Sequence, residues 1–505
     1  MYPSRSNFEA WAQLGNTGWG PDEMALYLRK FHTFTPPIRK TAELLTTDEY
    51  LKADHQGADG PVPVTLPDVY NEFNRAWNEA FRGLGWDTTA DPIGGEKLGA
   101  FACPLSVDGK GRRGYAMAYY TAEVAQRSNL TLRTETLVEK VRFDQAQERP
   151  RATGVQVRIE NGGSECITAR REVILCAGCI NSPQLLELSG VGRAETLRQH
   201  GIPVILDCPG VGENLQDHAM VTLCFEVADG QVSGDTLRDP NVLQPLIKQY
   251  EAAGSGPMAG APASMAYLPL VDDRGQLSRE AVQQLLAGHD EEGSPKEQPQ
   301  YDLMKQKLLE NRNPNGQYMF AAQQHHMKSD ATTAQDFLAK IFPKDYVSIS
   351  VLLNRPFSRG TVHIRSSHIE DKPVYDPKML SHPLDLELLA RQTQYVDRIV
   401  RMEPLASLLK PDSRIPQHAT DLSNLDVTKE IVKERLFTCF HPTGTCAMLP
   451  ADIGGIVDNR LTVHGTRNLR VVDASVFPLE PAGNIQATVY AVAERAADLI
   501  KEENH

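Results

Sequence analysis

Phe440-His441-Pro442-Thr443-Gly444-Thr445 opens the stretch on which the reading of this chain turns, and Pro481-Ala482-Gly483-Asn484 closes it. Between them lies Asn468-Leu469-Arg470-Val471-Val472-Asp473-Ala474, which has the length and β-branching of a buried strand. Beyond Asn484, the residues Ala487, Tyr490, Ala493 or Glu494, Ala497 and Ile500 recur at helical spacing, with good helix formers between them. A helix is therefore expected from the polar loop to about Ile500. An imidazole on a glycine-containing turn and a carboxamide at the start of a helix both sit at the lips of rigid elements. They can point into one small volume. A strand end meeting a helix N-terminus also suits an anionic or electron-rich group, because the first N–H groups of a helix lack intrahelical partners.

Four blocks in a fixed order carry a resemblance. His441-Pro-Thr-Gly-Thr-Cys-Ala-Met448, Gly455-Ile-Val-Asp458, Leu469-Arg-Val-Val-Asp-Ala-Ser475 and Asn484-Ile-Gln-Ala-Thr488 resemble the C-terminal pattern of the glucose–methanol–choline (GMC) oxidoreductases, flavoenzymes that oxidise alcohols. Upstream, Gly178-Cys-Ile-Asn-Ser-Pro-Gln-Leu-Leu-Glu-Leu-Ser-Gly-Val-Gly192 is similar to the second signature of that family. Pro209-Gly-Val-Gly-Glu-Asn-Leu-Gln-Asp-His218 fits the block that follows it.

The resemblance implies an α/β fold (α+β overall) with an incomplete FAD-binding Rossmann-like domain. Residues 1–60, 125–227 and 431–505 would form it. Residues 61–124 and 228–430 would form a substrate domain, an antiparallel sheet covered by helices. FAD is the implied cofactor, a small-molecule alcohol the implied substrate, and oxygen or a quinone the electron acceptor. His441 would take the hydroxyl proton, and Asn484 would orient the hydroxyl and stabilise developing negative charge. Val138, Ala177, Gly178, Asp473, Ala474, Ile485 and Gln486 match positions that approach FAD, largely through the backbone.

One departure stands at the start. Trp11-Ala-Gln-Leu-Gly-Asn16 and Gly18-Trp19 match a family segment that ordinarily follows the dinucleotide fingerprint, and Met1-Tyr2 resembles the tail of a second flavin loop. The one GxGxxG, Gly109-Lys-Gly-Arg-Arg-Gly114, lies in a Gly- and charge-rich stretch and opens no helix; Gly254-Ser-Gly256-Pro-Met-Ala-Gly260 follows a polar helical stretch, opens no helix either, and reads as a surface loop. A sequence that starts after the fingerprint leaves two alternatives open: a flavin-free remnant or binding protein, or a non-redox lyase or cyclase on the same scaffold.

Composition narrows the class. A chain of 505 residues with 41% hydrophobic content is globular and long enough for two domains. The net charge of −13 argues against nucleic acid or an anionic membrane surface as a partner. No apolar run reaches the length of a bilayer span, and the first residues carry no apolar signal-peptide core, so the sequence assigns no compartment. Eight cysteines in so long a chain do not form a disulfide framework, and Cys176-Ala-Gly-Cys179 reads as the end of a buried strand. His325-His326 lacks a further donor at ligand spacing, so no metal site is expected.

Local patterns supply the rest. Residues 66–84 read as a helix with Pro67 in its first turn and Val69, Phe73, Ala76, Trp77, Ala80 and Phe81 on one face. Residues 129–144 alternate as strands, with the glycosylation sequon Asn129-Leu-Thr131 abutting them. Arg171–Gly178 reads as a buried parallel strand, after which Asn181-Ser182-Pro183 caps a helix. Val347, Ile349 and Val351 alternate, then Val362 and Ile364, as a hairpin across Arg355-Pro-Phe-Ser-Arg-Gly360. One long amphipathic helix is expected to carry Leu388 through Met402, and His218 reads as a structural hydrogen-bonding residue.

Overall fold

The computed structural model describes residues 2–503 except 88–90, 96–97, 147, 160–162, 262, 290–294, 311, 326–331, 338, 340–341 and 419–420. Met1 and His326 therefore lie outside the described residues.

The largest element is a seven-stranded antiparallel sheet. Its path runs Leu409–Ile415, Ala219–Val227, Tyr346–Leu353, Gly316–Ala321, Ser264–Leu268, Gly99–Ala102, with Phe437–Thr438 added against the start of Ala219–Val227. All eight residues of Tyr346–Leu353 are buried, which explains why that strand carries Val, Ile and Leu with only small serines between them. The strand Ala219–Val227, expected in the cofactor segment ending at 227, is instead registered residue for residue on Tyr346–Leu353. Phe437–Thr438, from the segment beginning at 431, also joins this sheet and leads straight into His441.

Helices cover the sheet. Glu72–Gly83 packs on Gly99–Ala102, burying Phe73, Ala76, Trp77, Ala80 and Phe81. It starts later than Pro67 because Asn71 and Asn74 satisfy each other's backbone N–H groups in a capping box, which fixes the first turn there. The expected long helix is two: Pro383–Gln394 and Val396–Val400. Just before the join, Thr393 Oγ1 donates to the Leu389 carbonyl at 2.7 Å, a back-bond of the kind that bends helices. The expected hairpin does not form either. Tyr346–Leu353 pairs with its neighbours in the large sheet, and Thr361–His363 pairs with Val374–Asp376.

The second body is smaller and mixed. Val173–Leu175 and Leu469–Val471 form the expected parallel pair, but the first strand is buried on one face only: Val173 and Leu175 are covered while Ile174 and Cys176 are exposed. Beside it stands an antiparallel sheet of Thr136–Asp144, Arg151–Ile159 and Ser164–Thr168. Residues 129–134, read as strand, are an exposed connection, and Asn129 lies in it. The helix Gly178–Leu188 begins before Asn181-Ser182-Pro183 rather than being capped by them, because the αL glycine at 178 turns the chain directly into the helix.

The C-terminal helix spans Gln486–Glu503 and buries Ala487, Thr488, Ala491, Val492, Ala496 and Leu499. Its buried stripe is rotated from the expected one: Tyr490 is only partly covered, stacked on Phe31 with centroids 5.0 Å apart. Among the described residues, no helix is long and apolar enough to cross a membrane.

Candidate active site

His441 is placed by its turn, and the turn by a network reaching back to residues 214–218. Phe440 is held at φ +59, a region side chains rarely occupy, with its N–H on Thr438 Oγ1 at 2.8 Å. The His441 N–H donates to Asp217 Oδ1 at 3.0 Å. Thr443 and Gln216 exchange backbone hydrogen bonds at 2.9 and 3.0 Å. Gly444 must be glycine: its φ is +91 and a Cβ would lie 2.4 Å from the Asn214 carbonyl oxygen.

The Asn484 loop is pinned from three directions. Glu480 N–H donates to Gln216 Oε1, Ala482 N–H to Asn7 Oδ1 and Gly483 N–H to Asn354 Oδ1, each at 3.1 Å. These contacts bring Asn484 Nδ2 to 3.2 Å from His441 Nε2. The pair the sequence singled out thus meets across 43 residues of chain.

Further residues complete the shell, and of these the sequence had singled out only His218, as a structural hydrogen-bonding residue. Gln317, on the large sheet, donates from Nε2 to Asn484 Oδ1 at 3.3 Å. His218 is bonded to His441 itself, Nδ1 to Nδ1 at 2.8 Å, and its Nε2 lies 3.2 Å from the Asn354 carbonyl oxygen. Glu480 accepts from Thr443 Oγ1 at 2.7 Å and brings Oε1 to 3.5 Å from His218 Nδ1. Cys439 Sγ stands 3.9 Å from His441 Nε2. The signals for Gln317 and Glu480 are invisible locally, since each matters only through the strand or loop opposite it.

Burial sets the protonation states here. It depresses His441 well below the ordinary imidazole value, with the neighbouring His218 adding to the effect, and lowers His218 to about 4. Burial also raises Glu480 well above the usual carboxylate range, with Asp217 reinforcing it, and raises Asp217. The site is a buried hydrogen-bonded cluster in which both imidazoles are held in their neutral form. His218, His441 and Glu480 also bring one donor atom each within 4.8 Å of one another, a convergence that sequence spacing did not announce. The two Nδ1 atoms are already engaged with each other.

The remaining candidate residues fall into two groups. Ile485 and Gln486 lead into the C-terminal helix, whose first turn carries no acidic side chain. Among the described residues, no backbone acceptor meets the N–H groups of Gln486 and Ala487. Gln486 also borders an aromatic cleft formed with Tyr2, Phe31, Phe101 and Tyr490. Open donors at a helix start beside aromatic walls fit the electron-rich edge of a flavin.

Ala177, Gly178, Asp473 and Ala474 cluster where the two parallel strands end, next to the His441 turn through Gly444 N–H on the Ala474 carbonyl. The helix donors expected here are already engaged, however. Ala177 N–H donates to Ser182 Oγ, and Gly178 N–H to Asp473 Oδ2, so an Asp carboxylate occupies the position of an anionic ligand. Val138 is separate from both groups, half-buried in the antiparallel sheet that packs on Gly178–Leu188.

Comparison with known proteins agrees with this architecture. Profiles described as GMC oxidoreductase match residues 1–220 and 356–493. The chain belongs to the GMC oxidoreductase family, and FAD is its cofactor. It is 33% identical to "Dehydrogenase mpl7" of Monascus purpureus, over 99% of this chain and 81% of that one. Among solved structures it is similar to an FAD-dependent oxidoreductase from Chaetomium thermophilum, at 26% identity and a TM-score of 0.86, covering 100% of this chain and 84% of that one. It is also similar to a formate oxidase from Aspergillus oryzae RIB40, at 26% identity and a TM-score of 0.81, covering 99% and 81%. The protein is an FAD-dependent oxidoreductase.

Proposed function

We propose that the protein oxidises a CH–OH group of a small-molecule alcohol. The observation that carries this reading is the 3.2 Å approach of Asn484 Nδ2 to His441 Nε2, at the mouth of the loop that leads into the donor-rich helix start. A substrate hydroxyl between them would accept from the Asn484 amide and give its proton to His441 Nε2. The O–H bond breaks, the N–H bond forms, and the amide hydrogen bond stabilises the charge building on oxygen. Bound FAD supplies an acceptor for the carbinol hydride and its electron pair.

The depressed basicity of His441 keeps it unprotonated and ready to accept at neutral pH. In this reading the residues that hold FAD are Ile485 and Gln486 at the C-terminal helix, Ala177, Gly178, Asp473 and Ala474 at the strand ends through groups other than the engaged Ala177 and Gly178 N–H, and Val138 through its backbone. Oxygen or a quinone completes turnover; relatives described as dehydrogenases and neighbours described as oxidases support either acceptor.

The test is anaerobic. The yellow protein is mixed with a panel of aliphatic and aromatic alcohols, then exposed to air or to benzoquinone. At least one alcohol should bleach the flavin, and one acceptor should restore its colour. A flavin that dithionite reduces but no alcohol does would contradict the proposal.

A further inference from the structure

The proposed reaction needs a lone pair on His441 Nε2, and the role inferred for its neighbour His218 rests on that reading. A neutral imidazole carries one proton, on either nitrogen, and the partners of the ring decide which. The chain of partners starts at Asn354. Its backbone oxygen can only accept, and His218 Nε2 lies 3.2 Å from it, so Nε2 bears the His218 proton and donates. Neutral His218 is then left with a lone pair on Nδ1.

That Nδ1 is 2.8 Å from His441 Nδ1, with the two rings nearly perpendicular at 83°. Two nitrogens at this distance share one proton, and His218 has none to give there. The proton therefore belongs to His441 Nδ1, and Nε2 of His441 is left with the lone pair. Glu480 does not compete: at 3.5 Å its Oε1 is beyond a good hydrogen bond to His218 Nδ1.

The other end of the cluster gives the same answer independently. Gln317 Nε2 donates to Asn484 Oδ1, which turns the Asn484 NH₂ group toward His441 Nε2. A donor facing Nε2 requires a lone pair there. Both ends of the five-residue line agree on one direction for every hydrogen bond.

We propose that His218 is a positioning residue that holds His441 in its Nδ1–H tautomer, leaving Nε2 free to take the substrate proton. When that proton arrives, His441 becomes an imidazolium that still donates from Nδ1 to His218. No second proton has to move, and no proton is lost from Glu480.

The test has a spectroscopic arm and a kinetic arm. Holoprotein labelled with ¹⁵N-histidine is examined by NMR at neutral pH, with His441 assigned by the signals lost in His441→Ala. The expected spectrum has a protonated Nδ1 and an unprotonated Nε2; the opposite tautomer in the wild type overturns the proposal. In His218→Leu only the Asn484 contact still favours Nδ1–H, so part of the population should shift to the Nε2–H tautomer, and anaerobic flavin reduction should slow by about 10–100-fold with little change in KM. His218→Gln should recover to within a few-fold, since its amide can accept from His441 and donate to Asn354. Equal losses in the Leu and Gln variants, at equal flavin content and melting temperature, would mean a packing role and overturn the proposal.

The wild-type spectrum decides even where the Leu variant does not fold. It also separates the two ideas: a protein that oxidises no alcohol still reports its tautomer, while normal bleaching with the wrong tautomer removes only the role of His218.

Discussion

Gln317 reaches across from the large sheet to the Asn484 loop, its Nε2 3.3 Å from Asn484 Oδ1, while its own Oε1 is buried with no partner among the described residues. One contact is thus favourable and one polar atom is left at a cost. A net hydrogen bond contributes about 0.5–1.5 kcal/mol, and an unsatisfied buried acceptor costs about 1–3 kcal/mol. Gln317→Leu should therefore leave the melting temperature unchanged or slightly higher. Flavin reduction should nevertheless slow by about tenfold, because the Asn484 amide loses the contact that orients it. Asn484→Ala, which removes the donor itself, should slow reduction by about 10²–10³-fold. Stopped-flow reduction and thermal melting of the three proteins check this. A large stability loss in Gln317→Leu with unchanged reduction would contradict it.

The pH profile has a defined sign. His441 must be unprotonated to act, and burial beside His218 holds its basicity well below the ordinary imidazole value of 6.5. The groups around it are His218, Asp217, Glu480 and Cys439; burial raises all three acidic groups. The rate of flavin reduction should stay flat from about pH 8 down through 6.5 and fall only in more acidic buffer. Reduction that halves near the ordinary imidazole value of 6.5 would contradict this.

Stability carries a second titration away from the site. His363 Nδ1 lies 2.8 Å from Glu187 Oε1, with Glu213 3.4 Å from its other nitrogen, and these partners raise it to about 9. A histidine raised on folding stabilises fully below its unfolded value near 6.5, and that contribution is lost as pH climbs through about 9. Between these limits the melting temperature should fall with rising pH, and His363→Gln should flatten the slope. Parallel slopes in the two proteins would mean that this histidine does not set the pH dependence.

How much of this was legible in the sequence depends on the range of each interaction. The parallel pair, the C-terminal helix and the meeting of His441 with Asn484 could all be read, because each is written in a short block with its own glycines and apolar pattern. Local chemistry was misjudged where a non-adjacent partner decides. The helix at Gly178 begins at an αL glycine, and the 347–364 hairpin yields to the seven-stranded sheet. Gln317, Asn354 and Glu480 carried no signal, because their importance arises only once strands and loops distant in sequence face the imidazole.

The central claim is that one imidazole removes the substrate proton. His441→Ala, purified with its flavin, is the most direct measure: anaerobic mixing with the best alcohol of the panel should leave it yellow, while the wild type bleaches. Bleaching of the variant at the wild-type rate would take His441 out of the reaction.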